Sequence, residues 1–396
     1  MLLNGIAGLN AIPDIFIEKL DNFVLVAIPL YILMGEIVFR SGMGGKLYTT
    51  ASKFTGKIPG GLAVGTVIAS AVFGAMCGVS IAGAATIGSA AIPEMLNRGY
   101  DKKLATGSVA AAGALSLLIP PSIGFILYGA VADESVGALF TAGIVPGVIL
   151  SAMMIIYIIA KAYIKPHSAP KTEMPRQDKL KSAVGSLPAM ILIIIVLGSI
   201  YLGIATPTES AAIGSLGAFF IAKFILKKLS LKLFIEVLYA STKTTGMILL
   251  IFVNAMLLGY LLTRLQIPQQ MADFVANMHM AKPIILFAVT ALLIFLGMFL
   301  DGASVILIAT PILLPVITAL GYSKLWFGVI MMITVEMAVI TPPVGLNLYV
   351  IKSVSPPSIR LNDIVSGALP FVAVELVAVF LFMLFPQIIF WLQALR

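Results

Sequence analysis

The chain has 396 residues, 60% of them hydrophobic and 11% charged, and its 25 Lys and Arg against 17 Asp and Glu leave a net charge of +8. A soluble domain needs roughly twice that charged fraction for its surface, so this composition, with a mean hydropathy of +1.09, excludes a soluble globular protein. The basic residues sit in short loops beside apolar stretches, where they set orientation in a bilayer rather than bind nucleic acid.

The single cysteine, Cys77, rules out an intrachain disulfide and reads as a small packing residue. His167 and His279 both fall near loops and belong to no metal-ligand cluster. The start, MLLNGIAGLNAIPDIF, lacks the basic-then-apolar order of a signal peptide.

A helix needs about 20 apolar residues to cross the hydrocarbon core. Continuous spans are predicted at 23–39, 104–131, 138–160, 187–204, 209–226, 244–263, 326–351 and 365–385. Two further apolar regions, 61–96 and 282–319, are interrupted midway, the first at Cys77-Gly78-Val79-Ser80 and the second at Asp301-Gly302-Ala303-Ser304. Arg40, Lys46, Lys53 and Lys57 precede the first region, and Arg98, Lys102 and Lys103 follow it. Both ends are basic, so both are placed in the cytoplasm. Its short halves, rich in Gly, Ala and Ser, favour a re-entrant hairpin buried in protein over two lipid-facing helices.

Sides propagate from there. Span 104–131 exits to Asp133-Glu134, and 138–160 returns to a linker at 161–184 that carries Lys161, Lys165, Lys171, Arg176, Lys179 and Lys181. Spans 187–204 and 209–226 go out and back, landing at Lys223, Lys227, Lys228 and Lys232; residues 229–240 read as an amphipathic helix along the cytoplasmic interface. Span 244–263 exits, and the region 282–319 enters and returns on the outside. Span 326–351 comes back to Lys352 and Arg360, and the last span leaves the C-terminus in the periplasm. The organisation is 1–60 as an N-terminal scaffold helix and loop, 61–160 as a first repeat, 161–281 as linker, scaffold and interfacial helices, and 282–396 as a second repeat.

The repeat is visible in register. Tyr100 and Tyr322, Pro93 and Pro315, and Pro120-Pro121 and Pro342-Pro343 all match at an offset of 222, and Gly143 to Pro146 matches Gly367 to Pro370 at 224. Five spans separate the two hairpins, and five is odd, so the copies lie in opposite orientation. The fold class expected is therefore an all-α polytopic membrane protein, an inverted-topology repeat with two re-entrant hairpins and two Pro-Pro-broken helices, as in elevator-type secondary transporters.

The chemistry is expected at the breaks and the tips. Each Pro-Pro pair lies mid-span, in LLIPPSIG and VITPPVGLN. Proline lacks an N–H and clashes with the carbonyl one turn earlier, so two in sequence free carbonyls that make hard oxygen ligands for a sodium ion; the bland alternative is a plain kink. At the tips, Gly78, Ser80, Asp301, Gly302 and Ser304 gather where half-helices meet. Half-helix N-termini carry positive partial charge and hold an anion without Lys or Arg; the alternative for these small residues is tight packing. Asn347, past the second break, is the better polar ligand. Glu36 caps or pairs near an inner membrane end, Glu209 in ATPTESAAIG reads as a first-turn acid beside an N-cap, and Glu336 is open between a site and a packing role. There is no phosphate-binding loop and no nucleophile or metal-protease pattern. A stand-alone ion-coupled anion transporter, a channel and an intramembrane enzyme remain as other readings of the pattern.

AIPLYILMGE (27–36), RGYDKKLA (98–105), LIPPSIGFILYG (118–129), LFTAGIVPG (139–147), ATPTESAAIG (205–214) and ITPPVGLNLYV (340–350) resemble, in order and across essentially the whole chain, the large membrane subunit of tripartite ATP-independent periplasmic (TRAP) transporters. The resemblance implies a multi-pass protein of the bacterial inner membrane, not an enzyme, with no cofactor and with sodium as coupling ion. It implies three partners besides the lipid bilayer: a small membrane subunit, a periplasmic solute-binding protein, and an organic-anion substrate such as a C4-dicarboxylate or sialic acid. It implies one sodium at Gly78 and Ser80 with Ile119, Pro120, Ser122 and Gly124, and another at Asp301, Gly302 and Ser304 with Thr341, Pro342 and Gly345. Ser80, Ser304 and Asn347 are implied as substrate ligands. The family usually carries one more N-terminal transmembrane helix before the segment matching 23–39; only about 22 residues stand there, which reads as the loss of that span.

Overall fold

A bilayer offers no partner to backbone N–H and C=O groups, and a helix satisfies them within one segment. The computed structural model describes residues 7–171, 176–277 and 280–394, so His279 lies outside them. Every regular element among the described residues is helical. Seven helices are long and apolar enough to cross a membrane: Phe23–Arg40, Val136–Ile164, Lys179–Tyr201, Pro207–Ile225, Leu231–Arg264, Gly302–Ala319 and Leu361–Leu384.

Helix α1 (Ala7–Leu20) leads through a 3-10 turn into α2 (Ala27–Arg40), so a helix does precede the 23–39 span, where the sequence pattern gave no element. A short α3 (Met43–Thr55), also unpredicted, buries Met43, Leu47 and Tyr48. The first interrupted region folds as α4 (Gly61–Cys77) and α5 (Ser80–Asn97). Next come α6 (Lys102–Ala114), a 3-10 turn at Leu115–Leu117, a cis Pro120-Pro121 bond, and α7 (Ile123–Ala132). Then α8 (Val136–Ile164), α9 (Arg176–Tyr201) and α10 (Pro207–Phe220) follow, the last started by a capping box between Thr206 and Glu209. Glu209 is thus occupied as a cap, and a π turn at Ile221–Ile225 ends the span.

One expectation is corrected here. The interfacial segment 229–240 and the span 244–263 are a single helix, α11 (Leu231–Arg264), capped by the Ser230 hydroxyl. Nothing between them breaks a helix: Lys232, Glu236 and Lys243 are polar but sterically helical. At 34 residues it is about 51 Å long, well beyond a core of about 30 Å, so its polar first turns project past the apolar layer while the backbone runs on.

After α12 (Ile267–Asn277) the pattern returns: α13 (Lys282–Gly297) and α14 (Gly302–Ala319), then α15 (Lys324–Ala338), a cis Pro342-Pro343 bond, and α16 (Leu346–Val354). Helix α17 (Leu361–Leu384) and the short α18 (Gln387–Phe390) close the chain.

Hydrogen bonds tie the helix ends into two groups. Leu62 N–H donates to the Tyr100 hydroxyl at 3.2 Å, so the α4–α5 pair starts and finishes at one end of the bundle. Lys102 Nζ donates to Ser358 O at 3.2 Å at that same end. Lys324 Nζ donates to Ala132 O at 3.0 Å, and Tyr128 Oη to Lys324 O at 2.6 Å, at the opposite end. The segment α6–α7 therefore runs from the first end to the second, and α15–α16 runs back. Packing exchanges partners in the same way: α5 lies on α16 and α14 on α7, while α17 lies on α6 and α8 on α15. The α6–α17 crossing is close because Gly107 faces Gly367, where a Cβ would strike the carbonyl opposite. Around this centre, α9, α11 and α13 turn Ile194, Leu250, Leu261 and Phe295 outward, an apolar exterior suited to lipid tails.

Candidate functional site

At the first tip, Gly78 ends α4 with φ +61°, and its N–H bonds Gly74 O at 2.9 Å. A side chain there would be strained, and its Cβ would stand 2.9 Å from Pro121 O. The tip is thus pressed onto the first break, and Ile123 N–H reaches Gly78 O at 3.4 Å. Ser122 caps α7: its hydroxyl donates to Leu117 O, a carbonyl released by the break, and accepts from Phe125 N–H at 3.4 Å.

The second tip meets the second break likewise. Met298 O accepts from both Val344 N–H and Gly345 N–H at 3.2 Å, with Gly345 at φ +57°. Asp301 caps α14, accepting from Ala303 N–H at 3.0 Å, from Ser304 N–H at 3.2 Å and from the Ser304 hydroxyl. Thr341 donates to Met337 O at 2.7 Å, and Asn347 N–H bonds Val339 O at 3.1 Å.

A cavity of about 370 Å³ lies between these two junctions. The first residues of four helices line it: Ser80 of α5, Ile123 and Gly124 of α7, Gly302 and Ala303 of α14, and Leu346 and Asn347 of α16. No Lys or Arg is among its lining residues; the charged side chains there are Glu36 and Asp301. Across it, Asn347 Nδ2 donates to Ser80 Oγ at 2.6 Å, and Asn347 Oδ1, fully buried, has no partner.

Of the residues singled out from sequence, Gly78, Ser80, Gly124, Asp301, Gly302 and Asn347 meet at this cavity. Ile119, Pro120, Ser122, Ser304, Thr341, Pro342 and Gly345 stand behind it, in the breaks or one turn into α14. Sequence reasoning missed Met298, which acts through its backbone carbonyl and so leaves no side-chain signal, and Thr244 of α11. Glu36 pairs with Arg40 at 3.1 Å, as a residue near a membrane end would, but also faces the cavity. Arg40 continues to Glu236 at 3.4 Å, joining α2 to α11.

Residues 1–388 match the family described as "Tripartite ATP-independent periplasmic transporter, DctM component". The chain belongs to that family. It is 38% identical over 362 residues to the C4-dicarboxylate TRAP transporter large permease protein DctM of Pseudomonas aeruginosa, covering 91% of this chain and 84% of that one. To the sialic acid TRAP transporter large permease protein SiaM of Vibrio cholerae it is 32% identical over 389 residues, covering 96% and 90%. The crystal structure of the YdaH transporter of Alcanivorax borkumensis superposes with a TM-score of 0.71 at 14% identity, over 98% of this chain and 91% of that one, a likeness of fold. With its seven long apolar helices, this DctM-family permease is a multi-pass protein of the bacterial inner membrane.

Proposed function

We propose that the chain is the solute-carrying subunit of a sodium-coupled importer of an organic anion bearing a carboxylate. The observation that carries this reading is the convergence of four helix N-termini on one cavity that no Lys or Arg lines. Each N-terminus contributes roughly half a positive charge, a field that holds a carboxylate yet releases it more readily than a buried salt bridge would. The names of the relatives, which refer to C4-dicarboxylate and sialic acid, support a substrate bearing a carboxylate.

Sodium fits the two junctions behind the cavity. Carbonyl oxygens of the first break around Ile119 to Ser122, with Gly78 and Ser80, form one donor group. Those around Thr341 to Gly345, with Gly302, Ser304 and the Asp301 carboxylate, form the other. Asn347 and Ser80 orient the substrate, and the unpartnered Asn347 Oδ1 is free to accept from a substrate hydroxyl or help a cation. A bound cation beside each tip raises the affinity of the same cavity for an anion, which is the physical basis of coupling.

The antiparallel runs of α6–α7 and α15–α16 and their exchanged packing support an inverted repeat, in which the two units swap roles so that the cavity opens to either side. In that scheme the hairpins and broken helices move as a unit against α2 and α9 to α11. A small membrane subunit braces those scaffold helices, and a periplasmic binding protein delivers the solute.

Reconstitution in vesicles tests the proposal. With a binding protein and small subunit present, labelled succinate or sialic acid should accumulate when sodium is high outside, without ATP. Uptake indifferent to the sodium gradient removes the coupling, and uptake that needs ATP removes the transporter class.

A further inference from the structure

Glu336 on α15 and Glu375 on α17 are both fully buried, and none of their four carboxyl oxygens has a hydrogen-bond partner. The two helices are antiparallel and pinned where Trp326 Nε1 donates to Phe382 O at 3.2 Å. Glu336 lies ten residues beyond Trp326 and Glu375 seven before Phe382, about 15 Å and about 10 Å along the two helices. That register leaves them within about one helical turn of each other along one interface. Neither lines the cavity.

Among the described residues no positive charge answers them. The helices packed on this pair are α6, α7, α8, α13, α14, α16 and α18. Their charged residues, Lys102, Lys103, Lys161, Lys282 and Lys352, all sit at helix ends, as do Lys324 and Asp363 on α15 and α17 themselves. The other titratable side chains on them are tyrosines: Tyr128 is engaged with Lys324 O, the Tyr157 ring stacks edge-on against Phe371, and Tyr163 and Tyr349 are exposed. Two unpartnered carboxylates ionised in such an interior are prohibitively costly.

We propose that Glu336 and Glu375 form a proton-binding site inside the membrane-embedded bundle, separate from the cavity and independent of what the cavity binds. A proton suits the place better than a metal ion. A proton needs one oxygen, whereas a hard cation needs a cage of several. No group of three or more His, Cys, Asp or Glu side chains gathers here to build such a cage among the described residues. Proton-bound, the pair lets α15 stay seated on α17, one turn and a half before the second break. Stripped of protons, the two carboxylates repel and loosen that interface.

The test is infrared spectroscopy of the purified full chain in lipid nanodiscs at neutral and alkaline pH. The wild type should show the C=O stretch of an un-ionised buried carboxyl at neutral pH. Glu336→Gln and Glu375→Gln should each remove part of that band, and the double variant all of it. Its thermal midpoint should stop falling with rising pH, because the amides need no proton. Replacing choline chloride with sodium chloride should leave the band intact. Should a Gln variant fail to fold, Glu336→Asp and Glu375→Asp, which keep a carboxyl but move its C=O stretch, take its place, and a band that neither moves overturns the proposal. No such band in the wild type, a band that survives in the double variant, or a band that sodium converts to carboxylate overturns the proposal, the last making the pair a sodium site.

Discussion

The segments α4 to α7 and α13 to α16 follow the same order of helices and breaks and differ in side chains. Two of their four helix starts recur at one offset: Ser80 and Gly302 begin the second hairpin arms, and Lys102 and Lys324 begin the broken helices, each pair 222 apart. Lys102 and Lys324 make comparable bonds, Lys324 to Ala132 O at the end of α7 and Lys102 to Ser358 O in the turn after α16. The polar chemistry is not shared. At the same offset Asp301 stands opposite Val79, Asn347 opposite Phe125, Ser304 opposite Ala82 and Glu336 opposite Ala114. The fold keeps two tips and two breaks as a matter of backbone geometry, while the second unit carries most of the groups that recognise or titrate.

The largest expected effect breaks this comparison at one position. Asn347→Leu removes the bond to Ser80 and leaves that hydroxyl unpaired in the cavity wall. A buried donor or acceptor left so costs about 1–3 kcal/mol, or roughly 5- to 150-fold in initial uptake rate. The counterpart change, Phe125→Leu, trims a ring packed against Phe140 and is expected to cost under about 1.5 kcal/mol of stability, with uptake retained. Equal losses of uptake from both would mean that the units share the binding task after all.

Next come the tips, where the units should behave alike. Gly78→Ala places a side chain at φ +61° and 2.9 Å from Pro121 O, and Gly345→Ala does so at φ +57° and 2.9 Å from Thr341 O. Each costs about 1–3 kcal/mol of backbone strain and shifts a junction, so sodium-driven uptake should fall about tenfold or more in both. A large loss at one and none at the other would show that only one junction is used. Ser80→Ala is milder: it keeps the backbone and removes one ligand, raising the sodium needed for half-maximal uptake about three- to tenfold, at about 1 kcal/mol per hydrogen bond.

Much of this was legible because it is a matter of covalent chemistry. Pro-Pro cannot sit in an unbroken helix interior, a Gly such as Gly78 ends one, and an Asp such as Asp301 starts one, so breaks, tips and the cluster of Gly78, Ser80, Asp301 and Asn347 could be read from residue types. Hydropathy served less well. It divided α11 at its polar start, because charge marks the water boundary and not the end of a helix. It passed over α3, too short and too polar to register as a span. The Ser80–Asn347 contact joins residues 267 apart and depends on the exchanged packing of α5 and α16, which no local pattern encodes. Glu375 was within reach: an acid in the middle of an apolar span is a signal in itself, but its partner is visible only once α15 and α17 are laid together.

The smallest effect tests whether the polar surplus of the second unit matters at Ser304. The Ser304 hydroxyl donates to Asp301, whose carboxylate also holds the N–H groups of Ala303 and Ser304. Ser304→Ala leaves the two N–H bonds of that cap in place, frees one Asp301 oxygen for a cation and removes one hydroxyl ligand, two effects that oppose each other. Ala82→Ser, at the matching place in the first unit, adds a hydroxyl with no acid beside it. Sodium titrations of uptake should therefore show a shift of about threefold or less for Ser304→Ala, within one neutral hydrogen bond's worth, and none for Ala82→Ser. A matching shift in both would trace the effect to the hydroxyl's local bonding within its own helix. A shift for Ser304→Ala alone ties it to Asp301, the acid that the first unit lacks.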